Sequence, residues 1–119
     1  MAEFITENPL PECPGSPNCV RTHKVFDAGI EVIFEYLSQI FEEDAYKFIV
    51  KDPKRIELHA VYRIPLFGFK DDVNVIIEEY EEKTIFYIRS ASRVGEYDLG
   101  VNKRRVRKIF NKLEYKIKN

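Results

Sequence analysis

The stretch Arg89-Ser90-Ala91-Ser92-Arg93-Val94-Gly95-Glu96-Tyr97-Asp98-Leu99-Gly100-Val101-Asn102 holds the chain's densest set of groups able to grip an anion. Arg89 and Arg93 supply guanidinium forks, Ser90 and Ser92 supply hydroxyls, and Lys103, Arg104 and Arg105 follow directly. Asn102 is expected to cap a helix, which puts those three cations in its first turn. A helix start already carries partial positive charge and favours acids there. The crowding therefore calls for a negative partner. Two readings meet that need: a bound anion held by free N–H groups, the serines and two or three arginines, or internal pairing of Arg89 or Arg93 with Asp71, Asp72 or Asp98.

Other groups with chemical potential are sparse. Asp71-Asp72 follows an aromatic bend (Phe67, Phe69) and could face a cleft, whereas the acidic run Glu78–Glu82 reads as a solvated hairpin end. His59 falls on the charged side of an alternating strand, and His23 lies in a polar stretch, so acid–base work by His59, Asp71 or Asp72 is the rival to binding. Cys13 and Cys19 sit in CPGSPNC, which admits three readings. A disulfide could close the short loop; zinc could use Cys13, Cys19 and His23, although C-x5-C is not a usual zinc spacing; or the thiols stay free. There is no Gly-rich phosphate loop, no G-x-S-x-G elbow and no HExxH, and no cofactor is expected.

These residues need elements to place them. Phe26, Ile30, Ile33, Leu37, Ile40 and Phe41 recur at spacings of three and four, which predicts a helix over 27–42 capped by Asp27. Tyr46–Val50 reads as a strand, with Asp52-Pro53 as the turn that follows. Ile56, Leu58, Ala60 and Tyr62 alternate with polar neighbours in a second strand. Pro65 and Gly68 mark Ile64–Lys70 as a bend. Val73, Val75 and Ile77 share one face of a third strand, and Glu81-Glu82-Lys83 turns into a fourth, Thr84–Ser90. Val106, Ile109, Phe110, Leu113 and Ile117 mark a last helix over 102–116. Pro11, Pro14, Gly15 and Pro17 make residues 1–25 an irregular arm. The expected fold is α+β over 1–119 as one domain, with an α-β-β-β-β-α core at 26–119. In it two helices flank a four-stranded antiparallel meander.

The 119 residues are 45% hydrophobic and 33% charged, with a net charge of −1, which excludes a disordered chain and a bulk polyanion binder. Charge is uneven: residues 1–60 hold 6 basic and 11 acidic side chains, residues 61–119 hold 13 and 9. The cationic side of the last helix (Lys103, Arg107, Lys108, Lys112, Lys116) lacks interleaved aromatics and reads as solvated, so nucleic acid is not expected. No apolar run reaches membrane-spanning length, and no signal pattern opens the chain. Reduced thiols in the cytoplasm are the expectation that follows, with the periplasm or an organelle lumen as the alternative.

Two stretches, CPGSPNCV and RSASRVGEYDLGVNKRRV, resemble the signatures of the family known as domain of unknown function 1499. Leu58-His59-Ala60 and Phe69-Lys70-Asp71-Asp72-Val73 fit its intervening order, and the resemblance runs from about Cys13 to about Phe110. It implies no particular activity, because the family has none assigned. Many members carry an export or membrane segment before the domain, a pattern from which this chain departs. The functional expectation is a small non-catalytic module that takes an anionic small molecule or a partner's acidic group through Arg89, Ser90, Ser92, Arg93, Asn102 and Arg105. A structural or assembly role without a ligand is the third possibility.

Overall fold

A computed structural model describes residues 7–15, 18–52, 56–63, 69–93 and 100–119. The order of elements is β1 (Cys19–Phe26), α1 (Ile30–Asp44), β2 (Lys47–Asp52), β3 (Glu57–Arg63), β4 (Lys70–Tyr80), β5 (Lys83–Ser92) and α2 (Val101–Lys118). The α+β class and the two helices on an antiparallel sheet agree with expectation, but the sheet has five strands, ordered β1-β5-β4-β3-β2.

The additional strand is β1. Residues 19–25, expected to be irregular, pair antiparallel with β5 from Cys19↔Ala91 to Phe26↔Thr84. Phe26 therefore ends a strand instead of opening a helix. Asp27 does not cap α1. Gly29 holds that position, in extended conformation and without a side-chain cap, while the buried Thr84 hydroxyl donates to the Ala28 carbonyl at 2.8 Å and secures the corner. Because β1 and β2 lie at opposite edges, α1 must cross the sheet. It does so on the stripe Ile33, Leu37, Ile40 and Phe41, all fully buried.

The four later strands form the expected meander. β4 and β5 meet through a two-residue turn at Glu81-Glu82, with Tyr80 paired to Lys83. The parts of the expected turn and bend at 53–55 and 64–68 lie outside the described residues. The inner face of the sheet (Leu58, Ala60, Val73, Val75, Ile77, Phe86, Ile88) packs against α1 and against Val106, Ile109 and Leu113 of α2. Phe26, Phe86 and Phe110 meet edge to face at 5.6–5.9 Å between centroids, the geometry their ring quadrupoles favour.

The outer face is also covered in part. Leu10, in the irregular arm, is 4% exposed and packs on Ile76, Ile85 and Tyr87. Burial on both faces explains why β5 reads Thr84-Ile85-Phe86-Tyr87-Ile88 with no polar alternation. Arg21 fastens the arm by donating to the carbonyls of Leu10 (3.1 Å) and Asn8 (2.7 Å). The Asn8 amide returns a bond to the Thr22 carbonyl, and Cys13 and Cys19 are joined by a disulfide. The expected free thiols are thereby corrected. The zinc reading falls with them, because bonded sulfurs are not thiolate ligands. His23 lies across from Tyr87 on the outer face. Among the described residues no group of three metal-ligating side chains comes together, and no helix is long and apolar enough to cross a membrane.

Candidate anion-binding site

Strand geometry separates the residues expected to converge. Successive side chains of a strand point to opposite faces, so Asp71 and Asp72 cannot serve one site, nor can Arg89 and Ser90. The structure sorts them into three groups, and Asp98 lies outside the described residues.

The inner group centres on Asn102. Helix α2 begins at Val101 with Gly100 at the cap position, in the left-handed region at φ 79°. Asn102 is therefore inside the helix, not its cap, and its side chain is fully buried. Its carbonyl oxygen accepts the Ser90 hydroxyl (2.6 Å) and Arg105 Nη1 (2.9 Å). Its amide nitrogen donates to the Asn18 carbonyl (3.1 Å) and to Ser92 Oγ (2.9 Å). One side chain thus ties α2 to β5 and to the start of β1. Arg105 Nη1 also lies 2.8 Å from Asp71 Oδ2, and Asp71 is fully buried. Nη1 is shared with Asn102, so the contact with Asp71 is an ion pair set off the N–H direction. Asp71 Oδ1 meets no donor among the described residues. Asp71 is thus a negative partner for the cationic first turn of α2.

The outer group is Asp72, Arg93 and His59. Arg93 donates from Nε and Nη2 to the two carboxylate oxygens of Asp72, each at 2.9 Å, and His59 Nε2 is 2.8 Å from Oδ1. The Arg93 hydrogen bonds hold the Asp72 carboxyl below the usual carboxylate range, burial opposes them, and His59 adds to the lowering. Arg89 forms the third group. It faces outward and reaches the Glu12 carbonyl of the arm at 3.4 Å.

One open cavity adjoins the inner group. It has a volume of about 380 Å³ and lies between the end of α1 and the start of α2, lined by Glu43, Asp44, Tyr62, Val101, Arg104, Arg105, Lys108 and Ile109. Arg105 Cζ stacks 4.7 Å from the centre of the Tyr62 ring. The Tyr62 hydroxyl is buried without a hydrogen-bond partner among the described residues. Burial raises its pKa, the Asp44 carboxylate raises it further, and Arg105 opposes both, so the hydroxyl keeps its proton and remains a donor. Asp44 is ion-paired with Lys112. Lys108 is exposed on the cavity rim. A wider depression of about 580 Å³ shares Glu43, Arg104 and Lys108 with this cavity and continues along α2 to Lys116.

Of the residues expected to bind that the structure describes, Arg105 alone lines the cavity; Arg89 and Arg93 are held elsewhere. Tyr62, Arg104 and Lys108 were not among the expected site residues. Tyr62 carried a usable signal, because it continues the apolar phase of β3 with a polar tip that must find a partner when buried.

An α+β protein with one helix locked to its sheet by a buried polar cluster is what these observations define. The chain belongs to the family described as protein of unknown function (DUF1499), whose model matches residues 9–113. No curated protein matched the chain.

Proposed function

We propose that this protein is a non-catalytic binding module that receives an anionic group, of a small molecule or of a partner's acidic side chain, in the cavity at the start of α2. The observation that carries the reading is the Tyr62 hydroxyl, a buried donor without a partner among the described residues, in the wall of a cavity whose described lining also offers Arg104, Arg105 and Lys108 as donors. A buried polar group without a partner calls for a ligand or a water. An anion there can accept from Tyr62 and from the Lys108 ammonium while Arg105 remains paired with Asp71. An acid–base role for Asp72 and His59 draws less support. They face the other side of the sheet, and Asp72 is held in its ionised form.

A second reading, a purely structural role, is favoured by the pairing of Arg93 with Asp72 and of Arg105 with Asp71. Thermal denaturation of the full chain with phosphate, sulfate and dicarboxylates separates the two. Binding is expected to raise Tm with the logarithm of anion concentration, equivalent to about 2.7 kcal/mol at a hundredfold excess over Kd. Lys108→Ala and Tyr62→Phe are expected to stay folded and to lose most of that gain. A parent protein in which no anion raises Tm beyond chloride at equal ionic strength ends the binding proposal and leaves the structural role.

A further inference from the structure

We propose that the Cys13–Cys19 disulfide is an exchange site for a small anionic thiol, and that opening it frees the N-terminal arm from the outer face of the sheet. The inference is independent of the cavity at α2.

Both cysteines are partly exposed. They line an open depression of about 510 Å³ together with Glu12, Val20, Arg21 and Lys103. Among the described lining residues, two cations thus stand against one acid beside the sulfur pair. Lys103 is exposed and makes no ion pair among the described residues. Positive charge next to a disulfide does two things in exchange. It attracts an incoming thiol that carries carboxylates, and it stabilises the cysteine that leaves as thiolate.

The reaction balances with thiol alone. A thiolate attacks one cysteine sulfur, a mixed disulfide forms, and the Cys13–Cys19 bond breaks with its electron pair leaving on the other cysteine. A second thiolate attacks the mixed disulfide at the small molecule's sulfur and releases the remaining cysteine. Two electrons pass from the two small thiols to the protein. The two protons those thiols lose are taken up by the cysteines, and the small molecule departs as its own disulfide.

The bond has a mechanical role as well. It joins the arm to the first residue of β1, and the arm carries Leu10 onto Ile76, Ile85 and Tyr87. With the bond open, what remains among the described residues is the Leu10 apolar contact and the hydrogen bonds from Asn8, Arg21 and Arg89. A segment held by so few buried contacts opens at low local cost.

The test treats the oxidised full chain with glutathione under native conditions, reads adducts by mass spectrometry and follows Nile red fluorescence. Expected are a species heavier by one glutathione, then a chain with two free thiols, with a rise in dye fluorescence as the apolar patch is uncovered. Lys103→Glu is expected to slow both thiols, because the leaving cysteine loses its neighbouring cation, and to slow glutathione about fivefold more than the carboxylate-free 2-mercaptoethanol, the scale of one close charge contact in water. The variant is expected to fold, because an acid suits the first turn of a helix. A disulfide that opens only in denaturant, equal slowing of both thiols, or opening without a dye signal would each overturn the proposal.

Discussion

The carboxylates of Asp71 and Asp72 belong to adjacent residues, yet one is fully buried against Arg105 and the other lies between Arg93 and His59, with its side chain 28% exposed. Their substitutions should therefore behave differently. Arg105→Ala leaves a buried carboxylate unpaired, and urea unfolding is expected to report a loss of about 3–5 kcal/mol at neutral pH. A loss near zero would show that water already solvates Asp71. For Asp72 the sign follows from its lowered pKa. Its folded value lies below the unfolded value of about 3.9, so its contribution is complete above that pH and disappears as pH falls through the folded value. Asp72→Asn should destabilise the protein at pH 7 and lose that disadvantage in acid, which urea titrations along the pH axis would reveal as converging curves. Read from the sequence, Asp71-Asp72 stay together as a pair facing a cleft, because the strand is marked only from Val73; the pleat that separates them begins at Lys70. Nor was it legible which arginine each would meet, because those pairings depend on where α2 lands.

At the scale of elements, α2 is placed by Gly100 and Asn102 acting together. Gly100 has φ 79°, and a Cβ built there would sit 2.9 Å from Arg104 Nη1. The guanidinium can move aside, but the left-handed backbone still costs an L-residue about 1–2 kcal/mol. Gly100→Ala is expected to lower stability by that amount, measured by denaturant midpoint at constant m; an unchanged midpoint would mean that the turn can re-form in another conformation. Both helices were readable from their period of 3.6, β3 and β4 from alternation, β5 from its β-branched and aromatic run, and β2 from the turn that follows it. β1 was not, for a physical reason. Its strand CVRTHKVF is an edge strand with mostly half-exposed side chains, and its one fully buried aromatic, Phe26, stands where a helix stripe could also begin. Asn102 misled for a related reason. Asparagine caps helices when its side chain bonds the helix's own amides, whereas here tertiary partners in β5 and β1 take it.

For the whole molecule, the arm shows what local reading misses. Pro and Gly correctly marked it as irregular, but irregular backbone can still carry a core residue, and Leu10 does. Leu10→Ala is expected to cost about 2 kcal/mol, the lower end for a buried leucine, since the arm can settle partway into the space; thermal melts against the parent protein check this, and no loss would mean the arm contributes little to the fold. The polar cluster at the start of α2 escaped sequence reasoning on the same ground, because Ser90, Asn102 and Arg105 meet only once the sheet and helix have docked. The strand order also has a kinetic consequence. β2 through β5 form neighbour by neighbour in the chain, whereas β1 must find β5 across the length of α1 and the whole meander. Closing that loop is entropically slow, so β1 should join after the rate-limiting step. Conservative substitutions at Val20 or Thr22 should then speed unfolding and leave refolding rates alone, while those at Val75 or Ile88 should slow refolding; stopped-flow chevrons in which β1 variants refold slowly would place β1 in the nucleus instead.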